Sequence, residues 1–428
     1  MTIQRLRGTQ DILPSRVQYW QYIEGVIRAA CRDFGYQEIR TPIFEFTELF
    51  VRGVGETTDI VNKEMYTFMD QGNNSLTLRP ECTAAVCRAY VENKLYGQVE
   101  QPVKLYYIGP MFRHEKPQAG RFRQFHQLGV EVLGADQPVV DAETIRLAWE
   151  IYRRLGLTGL QVHLNSIGCP QCRALYKEQL QAFLQPRLGE LCADCQSRFA
   201  RNPLRILDCK QATCQSVAQG VPLMVDFLCA DCQSHLDQLR ILLDAGNIPY
   251  HMNPRLVRGL DYYRKTAFEI IAQDIGAQSA ICGGGRYDGL VEEIGGPATP
   301  AIGWAMGLER VLSALEMQNK LPVLPDTQFA MIIMLGEQAM AAGFRLTGQL
   351  REQGIPVGMD LLGKSLKAQL RAADRNHCRV AVIQGEDELE RGMAVVRDLV
   401  NGEQREMPQT EVMQYILAIY RQYREEVK

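Results

Sequence analysis

The 428-residue chain is poor in tryptophan, with three, and in histidine, with six. It also lacks an excess of either charge: 47 Lys+Arg stand against 50 Asp+Glu, a formal net charge of −3. That balance excludes a polybasic protein held to nucleic acid by bulk charge, while leaving room for local basic patches. Long apolar runs are missing too. The longest, residues 329–335, has seven residues, against the ~18–20 that a membrane-spanning helix needs. The N-terminal residues carry no apolar segment of a secretion signal, so a soluble, cytoplasmic protein is expected. There is no internal repeat and no low-complexity tract, and a composition of 46% hydrophobic and 23% charged residues excludes disorder and collagen. The phosphate loop Gly-x-x-x-x-Gly-Lys-Ser/Thr is absent. Gly53, Val54, Gly55 and the three residues after them match a dinucleotide fingerprint only in part, without its strand–turn–helix context. Any nucleotide must therefore bind on another scaffold.

What is present suggests about three domains. Apolar residues at Tyr19, Tyr22, Ile23, Val26, Ile27 and Ala30 mark one face of a helix over residues 18–34. Residues 39–44 read as a strand that Pro42 confines to an edge or an interface. Short strands are expected at 63–69 and 75–79. The strongest strand pair is 105–113 with 125–133, joined by a long loop. Period-2 geometry puts Leu128, Val130 and Val132 on one face of the second strand. Phe125, Gln127, Gly129 and Glu131 fall on the other, which reads either as the floor of a polar pocket or as a solvent-facing sheet. Residues 161–247 shift towards Cys, Gln and Leu with helical spacing and read as an inserted module. Strand character resumes at 258–263 and 268–272, a Gly-rich turn is expected at 282–286, and a helix at 303–315. A two-proline linker at 319–326 precedes an α/β domain with parallel strands at 329–335, 355–361 and 379–385 and helices at 337–353, 365–376 and 409–426. The expected domains are 1–160 and 248–320 as two parts of one catalytic domain, 161–247 as the insertion, and 327–428.

The long loop concentrates anion donors: Arg113, His114, Lys116, Arg121 and Arg123. A guanidinium fork binds two phosphate oxygens at once, and Phe125 beside it can stack on a base. In the C-terminal domain, Lys364, Lys367, Arg371 and Arg375 repeat at helical spacing on one face, the footprint of a phosphate backbone or simply a solvated face. Eight of the 13 cysteines lie between 169 and 232. The pair Cys169 and Cys172 is separated by nineteen residues from the pair Cys192 and Cys195, the spacing of a structural zinc site. Cys229 and Cys232 form a third such pair, and Cys209 and Cys214 are further candidates. Buried, unliganded cysteines are the alternative.

Phe112, Arg113, His114 and Glu115, followed by Arg121 to Phe125, resemble motif 2 of the class II aminoacyl-tRNA synthetases. Residues 303–310, ending in Leu308, Glu309 and Arg310, resemble motif 3, and the stretch around Pro42 resembles motif 1. Residues 256–263 and 283–288, with 7–11 and 78–83, resemble the histidyl-tRNA synthetase family within that class. The resemblance covers nearly the whole chain. It implies an α+β fold: an antiparallel sheet with flanking helices, a helical Cys-rich insertion and a C-terminal α/β anticodon-binding domain. It implies a ligase that joins histidine to ATP as an adenylate and then passes histidine to the 3′ end of tRNA(His), with Mg²⁺ and as a homodimer. By the same resemblance, Arg113, Glu115, Arg121, Phe125 and Arg310 bind ATP, with Arg113 on the α-phosphate and Phe125 on adenine. Glu81, Thr83, Gln127, Glu131, Tyr262 and Tyr263 hold histidine, Arg258 meets the pentavalent phosphorus as well as the substrate, and Gln118 reads the tRNA acceptor end. The family does not require zinc. The chain departs from it at Cys82, where glycine is usual, which raises the prospect of an unusual backbone and a reactive thiol. A non-catalytic relative, the synthetase-like regulatory subunit of ATP phosphoribosyltransferase, is the main rival. Such paralogues typically lose the arginine segment 258–263 and the C-terminal domain, and both are present here.

Overall fold

The computed structural model describes residues 2–55, 58–116, 120–260, 262–273, 280–324 and 328–426. The chain separates into two compact units, Met1–Pro322 and Val323–Lys428, with the division inside the two-proline linker.

In the first unit the strands are β1 (Gln37–Glu38), β2 (Phe44–Phe46), β3 (Tyr66–Met69), β4 (Ser75–Leu78), β5 (Val103–Phe112), β6 (Gln124–Leu133), β7 (Leu160–Ser166), β8 (Tyr250–Met252), β9 (Arg264–Ala272), β10 (Ala280–Arg286) and β11 (Ala301–Gly307). Eight of them form one sheet in the order β1-β5-β6-β11-β10-β9-β7-β8, and β2-β4-β3 form a small second sheet. The six inner strands of the large sheet pair antiparallel, whereas both edges, β1 on β5 and β8 on β7, pair parallel. The expected antiparallel sheet is thus mixed at its margins.

The alternation in β6 decides how the sheet is covered. Leu128, Val130 and Val132 enter one core with Trp20, Ile23 and Ile27 of the helix Pro14–Asp33 and Ile145, Ala148 and Ile151 of the helix Pro138–Arg154. Each buried Val, Leu or Ile side chain among them contributes about 1.5–3 kcal/mol. On the opposite face Gln127 lines the cavity described below, and Glu131 stands behind its wall.

Several expected elements differ. Between Glu38 and Phe44 the chain is not a strand: Pro42 cannot donate to a ladder, and buried Arg79 holds the segment instead, from Nε to the Pro110 carbonyl (2.9 Å) and from Nη1 to the Thr41 carbonyl (3.1 Å). Residues 258–260 and 262–263 are irregular rather than extended in a ladder, and β9 begins at Arg264. The glycines at 283–285 lie within strand β10 rather than a turn, and 301–307 is strand β11 before a helix, Leu308–Met317. Buried on both faces, these strands show no alternation, and an uninterrupted run reads like a helix.

The insertion is smaller than the composition suggests. β7, at 160–166, belongs to the main sheet. The helix Ala230–Ala245 packs through Leu236, Leu239 and Leu243 into the main core, and His235 Nε2 lies 2.8 Å from the buried carboxylate of Asp141. Asp141 also accepts from Thr266 Oγ1 (2.6 Å) and Arg286 Nε (2.9 Å), tying the helices Pro138–Arg154 and Ala230–Ala245 to strands β9 and β10 at a fully buried ion pair. The module proper, residues 167–229, has its own small core around Tyr176, Leu180, Leu184 and Leu204.

The second unit has strands β12 (Ala330–Leu335), β13 (Val357–Met359), β14 (Val380–Gly385), β15 (Met393–Asp398) and β16 (Gln404–Pro408) in the order β13-β12-β14-β15-β16. The first three pair parallel as expected. The antiparallel β15 and β16 extend the sheet and were not anticipated; their short, charge-bearing segments carry little periodic signal. Helices Glu337–Glu352, Leu366–Arg375, Glu386–Glu390 and Gln409–Glu426 accompany it.

Candidate active site

The cavity exists because the strands beneath it are short of Cβ atoms. A Cβ at Gly129 would fall 2.2 Å from the Tyr107 hydroxyl, one at Gly303 would fall 1.8 Å from Glu131 Oε2, and one at Gly283 would fall 2.4 Å from Arg258 Nη1. Without those side chains a cavity of about 260 Å³ opens over β5, β6, β10 and β11.

One group of residues converges on a buried carboxyl. Glu81 precedes the helix Thr83–Glu92, and its two oxygens accept the backbone N–H groups of Thr83 (2.7 Å) and Ala84 (3.0 Å), which no intrahelical carbonyl can serve. The helix start turns Thr83 Oγ1 towards Glu131 Oε1 (2.7 Å), while Tyr287 donates to Glu131 Oε2 (2.5 Å). Burial pushes the Glu131 carboxyl up to about 8, and Glu81 is raised for the same reason. Two acids held without full countercharge in an apolar setting favour a cationic or proton-donating guest. Tyr262 packs against Tyr263 and Tyr287, at ring-centre distances of 4.7 and 5.7 Å, to form an aromatic wall.

A second group is cationic. Arg113 Nε donates to the Pro80 carbonyl (2.8 Å), and its guanidinium lies 5.3 Å from the centre of the Phe125 ring. Arg121 pairs with Glu115 at 3.0 Å. Arg310 Nη1 donates to the Ala280 carbonyl (2.8 Å), and burial, then the neighbouring charge of Arg121, holds its pKa below the usual arginine value. A protein that crowds half-buried guanidinium groups gains by admitting an anion. Arg258, over Tyr263 and beside Glu269, adds a further cation.

Glu81, Thr83, Gln127, Arg258, Tyr262 and Tyr263 therefore share one cavity with Arg113, Glu115, Arg121, Phe125 and Arg310. Glu131 lies behind the wall, reached through Thr83 and Tyr287. Gln118 lies outside the described residues. Sequence reasoning assigned no part to Tyr107, Tyr287, Glu269 or Glu309. Tyr287 stands within the stretch 283–288, and Glu269 is a charge amid Phe268, Ile270 and Ile271, which was a signal. Glu309 accepts the His126 backbone N–H (3.0 Å), joining the helix after β11 to β6.

Cys82 has an ordinary backbone (φ −121°, ψ −11°), so glycine is not required there. Its thiol is fully buried beside Thr41 Oγ1 (3.3 Å), does not line the cavity, and is pushed up to about 12 by burial. Both expectations for Cys82 are corrected: neither strain nor reactivity follows. In the second unit Lys367, Arg371 and Arg375 lie exposed on the helix Leu366–Arg375, opposite buried Gln369 and Ala373, while Lys364 is exposed just before it. The cysteines pair otherwise than their spacing suggested. Cys169 and Cys172 meet Cys229 and Cys232, whereas Cys192 and Cys195 meet Cys209 and Cys214.

A mixed sheet with an arginine-lined cavity beside buried carboxyls, followed along the chain by an α/β unit, is the arrangement of a class II synthetase-like protein. The family model described as histidyl-tRNA synthetase matches residues 8–311, and that of the anticodon binding domain matches residues 330–419. A histidine–tRNA ligase of Desulfitobacterium hafniense is 61% identical over 426 residues, covering 100% of both chains, and one of Desulforamulus reducens is 55% identical over 98% of this chain and 100% of its own. The solved apo histidyl-tRNA synthetase of S. aureus is 39% identical with a TM-score of 0.84, covering 97% of this chain and 100% of that one. The chain belongs to the histidyl-tRNA synthetase family. A Bacillus halodurans structure titled as an ATP phosphoribosyltransferase regulatory subunit/histidyl-tRNA synthetase is 22% identical, with a TM-score of 0.65 over 90% of this chain and 97% of that one, and shares the fold.

Proposed function

We propose that the chain is a histidine–tRNA ligase. It activates L-histidine with ATP to histidyl-adenylate and pyrophosphate, then transfers the histidyl group to the 3′ end of tRNA(His). The observation that carries this reading is the single cavity in which a cationic cluster and a carboxyl-and-tyrosine cluster meet. Histidine sits against Glu81, Thr83, Gln127, Tyr262 and Tyr263, with Glu131 behind them. Arg113 and Arg310 take the phosphates, and Phe125 stacks on adenine. Arg258 meets the charge that grows on the α-phosphate oxygens as the histidine carboxylate attacks, where a preplaced cation lowers the barrier. Mg²⁺ accompanies ATP. Glu115 and Glu269 line the cavity and offer the hard oxygen donors that, with phosphates, suit this ion, which when bound neutralises phosphate charge.

Gln118 is proposed to read the acceptor end of tRNA, and Lys364, Lys367, Arg371 and Arg375 to meet its backbone. A homodimer is proposed through the small sheet, where Phe44, Phe46 and Phe68 share one face and are exposed. Among the described residues no helix is long and apolar enough to cross a membrane, in keeping with a proposed cytoplasmic location. The Cys-rich module is proposed to hold structural zinc.

The regulatory-subunit reading has less support: the relatives of high identity are histidine–tRNA ligases, and the C-terminal unit is present. Histidine-dependent ATP–pyrophosphate exchange followed by tRNA charging tests the proposal. Arg258→Ala is expected to lose exchange at least a hundredfold while keeping histidine binding within about tenfold. Folded protein without exchange refutes the enzyme reading.

A further inference from the structure

Three Cys-x-x-Cys pairs open helices in the same way. Cys169, Cys192 and Cys229 each stand just before the first turn of the helices Pro170–Leu184, Ala193–Arg201 and Ala230–Ala245, and Cys172, Cys195 and Cys232 follow three residues later. That spacing puts both sulfurs of a pair at one helix end, where the peptide dipoles favour negative charge. Tertiary structure then supplies the partners. Cys169 Sγ is 3.5 Å from Cys172 Sγ and 4.0 Å from Cys229 Sγ, and Cys192 Sγ is 3.9 Å from Cys209 Sγ. Within each group of four, all sulfurs lie within 4.8 Å of one another, and all are free thiols.

Four sulfurs bonded to a central ion at about 2.3 Å stand about 3.8 Å apart, the edge of a tetrahedron. The observed separations bracket that edge. Backbone N–H groups also point at the sulfurs, from Cys229 to Cys172 Sγ (3.1 Å) and from Cys192 to Cys214 Sγ (3.2 Å), and stabilise thiolates. Cysteines acting only as small apolar residues have no reason to gather in fours. Among the described residues, Cys31, Cys82, Cys87, Cys282 and Cys378 join no such group.

We propose that the module holds two structural zinc ions, one bound by Cys169, Cys172, Cys229 and Cys232 and the other by Cys192, Cys195, Cys209 and Cys214. This rests on the zinc reading above and deepens it into two sites with a stated pairing. Each ion has four protein ligands and no open position, so its part is structural. The first joins the two ends of the module beside Arg173, whose Nη1 donates to the Tyr263 carbonyl (3.0 Å), and thereby supports the tyrosine wall of the cavity. The second fastens the chain near Arg198 and Arg205, which pair with Asp59 at 2.6 and 3.3 Å. In a module with so small a core, metal binding supplies folding free energy directly.

The test is elemental analysis of the full-length protein purified without chelator, with a parallel titration by a mercurial thiol reagent and a zinc indicator. About two zinc per chain are expected, released as about eight thiols react. Cys172→Ser and Cys195→Ser are each expected to retain about one. Under half an equivalent of zinc in reduced, zinc-supplemented protein, iron in its place, or reaction of the thiols without zinc release overturns the proposal; these readings use the wild-type chain and survive misfolding of a variant. One zinc per chain that both variants abolish overturns the two-site pairing. Charging is measured separately: full charging without zinc overturns this inference alone, and two zinc without charging overturns the ligase reading alone.

Discussion

Gly303→Ala puts a methyl group where the cavity floor has no room. The new Cβ would lie 1.8 Å from Glu131 Oε2 and 2.5 Å from the Val130 carbonyl oxygen. The carboxylate must retreat by about 1.2 Å to reach the 3.0 Å that real contacts respect, and the Val130 carbonyl belongs to strand β6 and cannot retreat. That retreat disrupts the Thr83 and Tyr287 hydrogen bonds to Glu131, each worth about 1 kcal/mol and more once the acid ionises. Overpacking against the strand adds about 1–3 kcal/mol, for a total of about 3–5 kcal/mol. Gly307, on the same strand, is the control. Its Cβ would come no nearer than 3.9 Å to any atom, the Arg310 stem, so Gly307→Ala is expected within about 0.5 kcal/mol of wild type. Urea unfolding followed by tryptophan fluorescence is the assay, because Trp20, Trp149 and Trp304 all lie in the first unit. Gly303→Ala should lower the midpoint without changing the slope, and adding Glu131→Ala should cost less than the sum of the two changes. Equal effects at 303 and 307, or strict additivity with Glu131→Ala, would refute the reasoning.

Burial raises Glu131 from 4.5 to about 8, so its contribution to stability is full below about pH 4.5, is lost progressively up to about pH 8, and stays flat above that. Between pH 6 and 8 the wild type should lose about 1.4 kcal/mol per pH unit relative to Glu131→Gln, and parallel stability curves in the two proteins would sink the assignment. Reversing Lys367 and Arg371 to Glu should weaken tRNA binding and reduce the dependence of log affinity on log salt by about 2, with pyrophosphate exchange unchanged; an unaltered tRNA affinity counts against the stripe. Alkylating reagents should leave native Cys82 unmodified, with or without histidine and ATP, as peptide mapping by mass spectrometry can show, since the thiol is buried and its pKa raised. Rapid labelling at that position would contradict its placement.

The parts of the site that were legible in advance are those written locally. The alternation of β6 revealed both its core face and its polar face, and the run of arginines marked out the loop from which Arg113 and Arg121 line the cavity. Legibility failed where neighbours in space, not in sequence, set the conformation. Residues 282–286 and 303–307 are glycine-rich strands buried on both faces, so no period betrayed them, and their glycines serve Arg258, Trp304 and Glu131 across the sheet. Strand β7 and the helix Ala230–Ala245 carry the composition of the insertion but pack into the main core.

By itself, then, the sequence determined the helices and strands with clean periodicity, the two-proline division of the chain, the local clusters of charge and the order of motifs that places it in its family, because each depends on residues close together along the chain. Only the tertiary structure decided which carboxyl stands behind which threonine and tyrosine, and which cysteines meet. Tyr287 reaches Glu131 across 156 positions, and Cys169 finds Cys229 across 60 while passing over the nearer Cys192. Such pairings follow from how the sheet and the module close on themselves, and spacing along one chain does not encode the direction from which a distant segment returns.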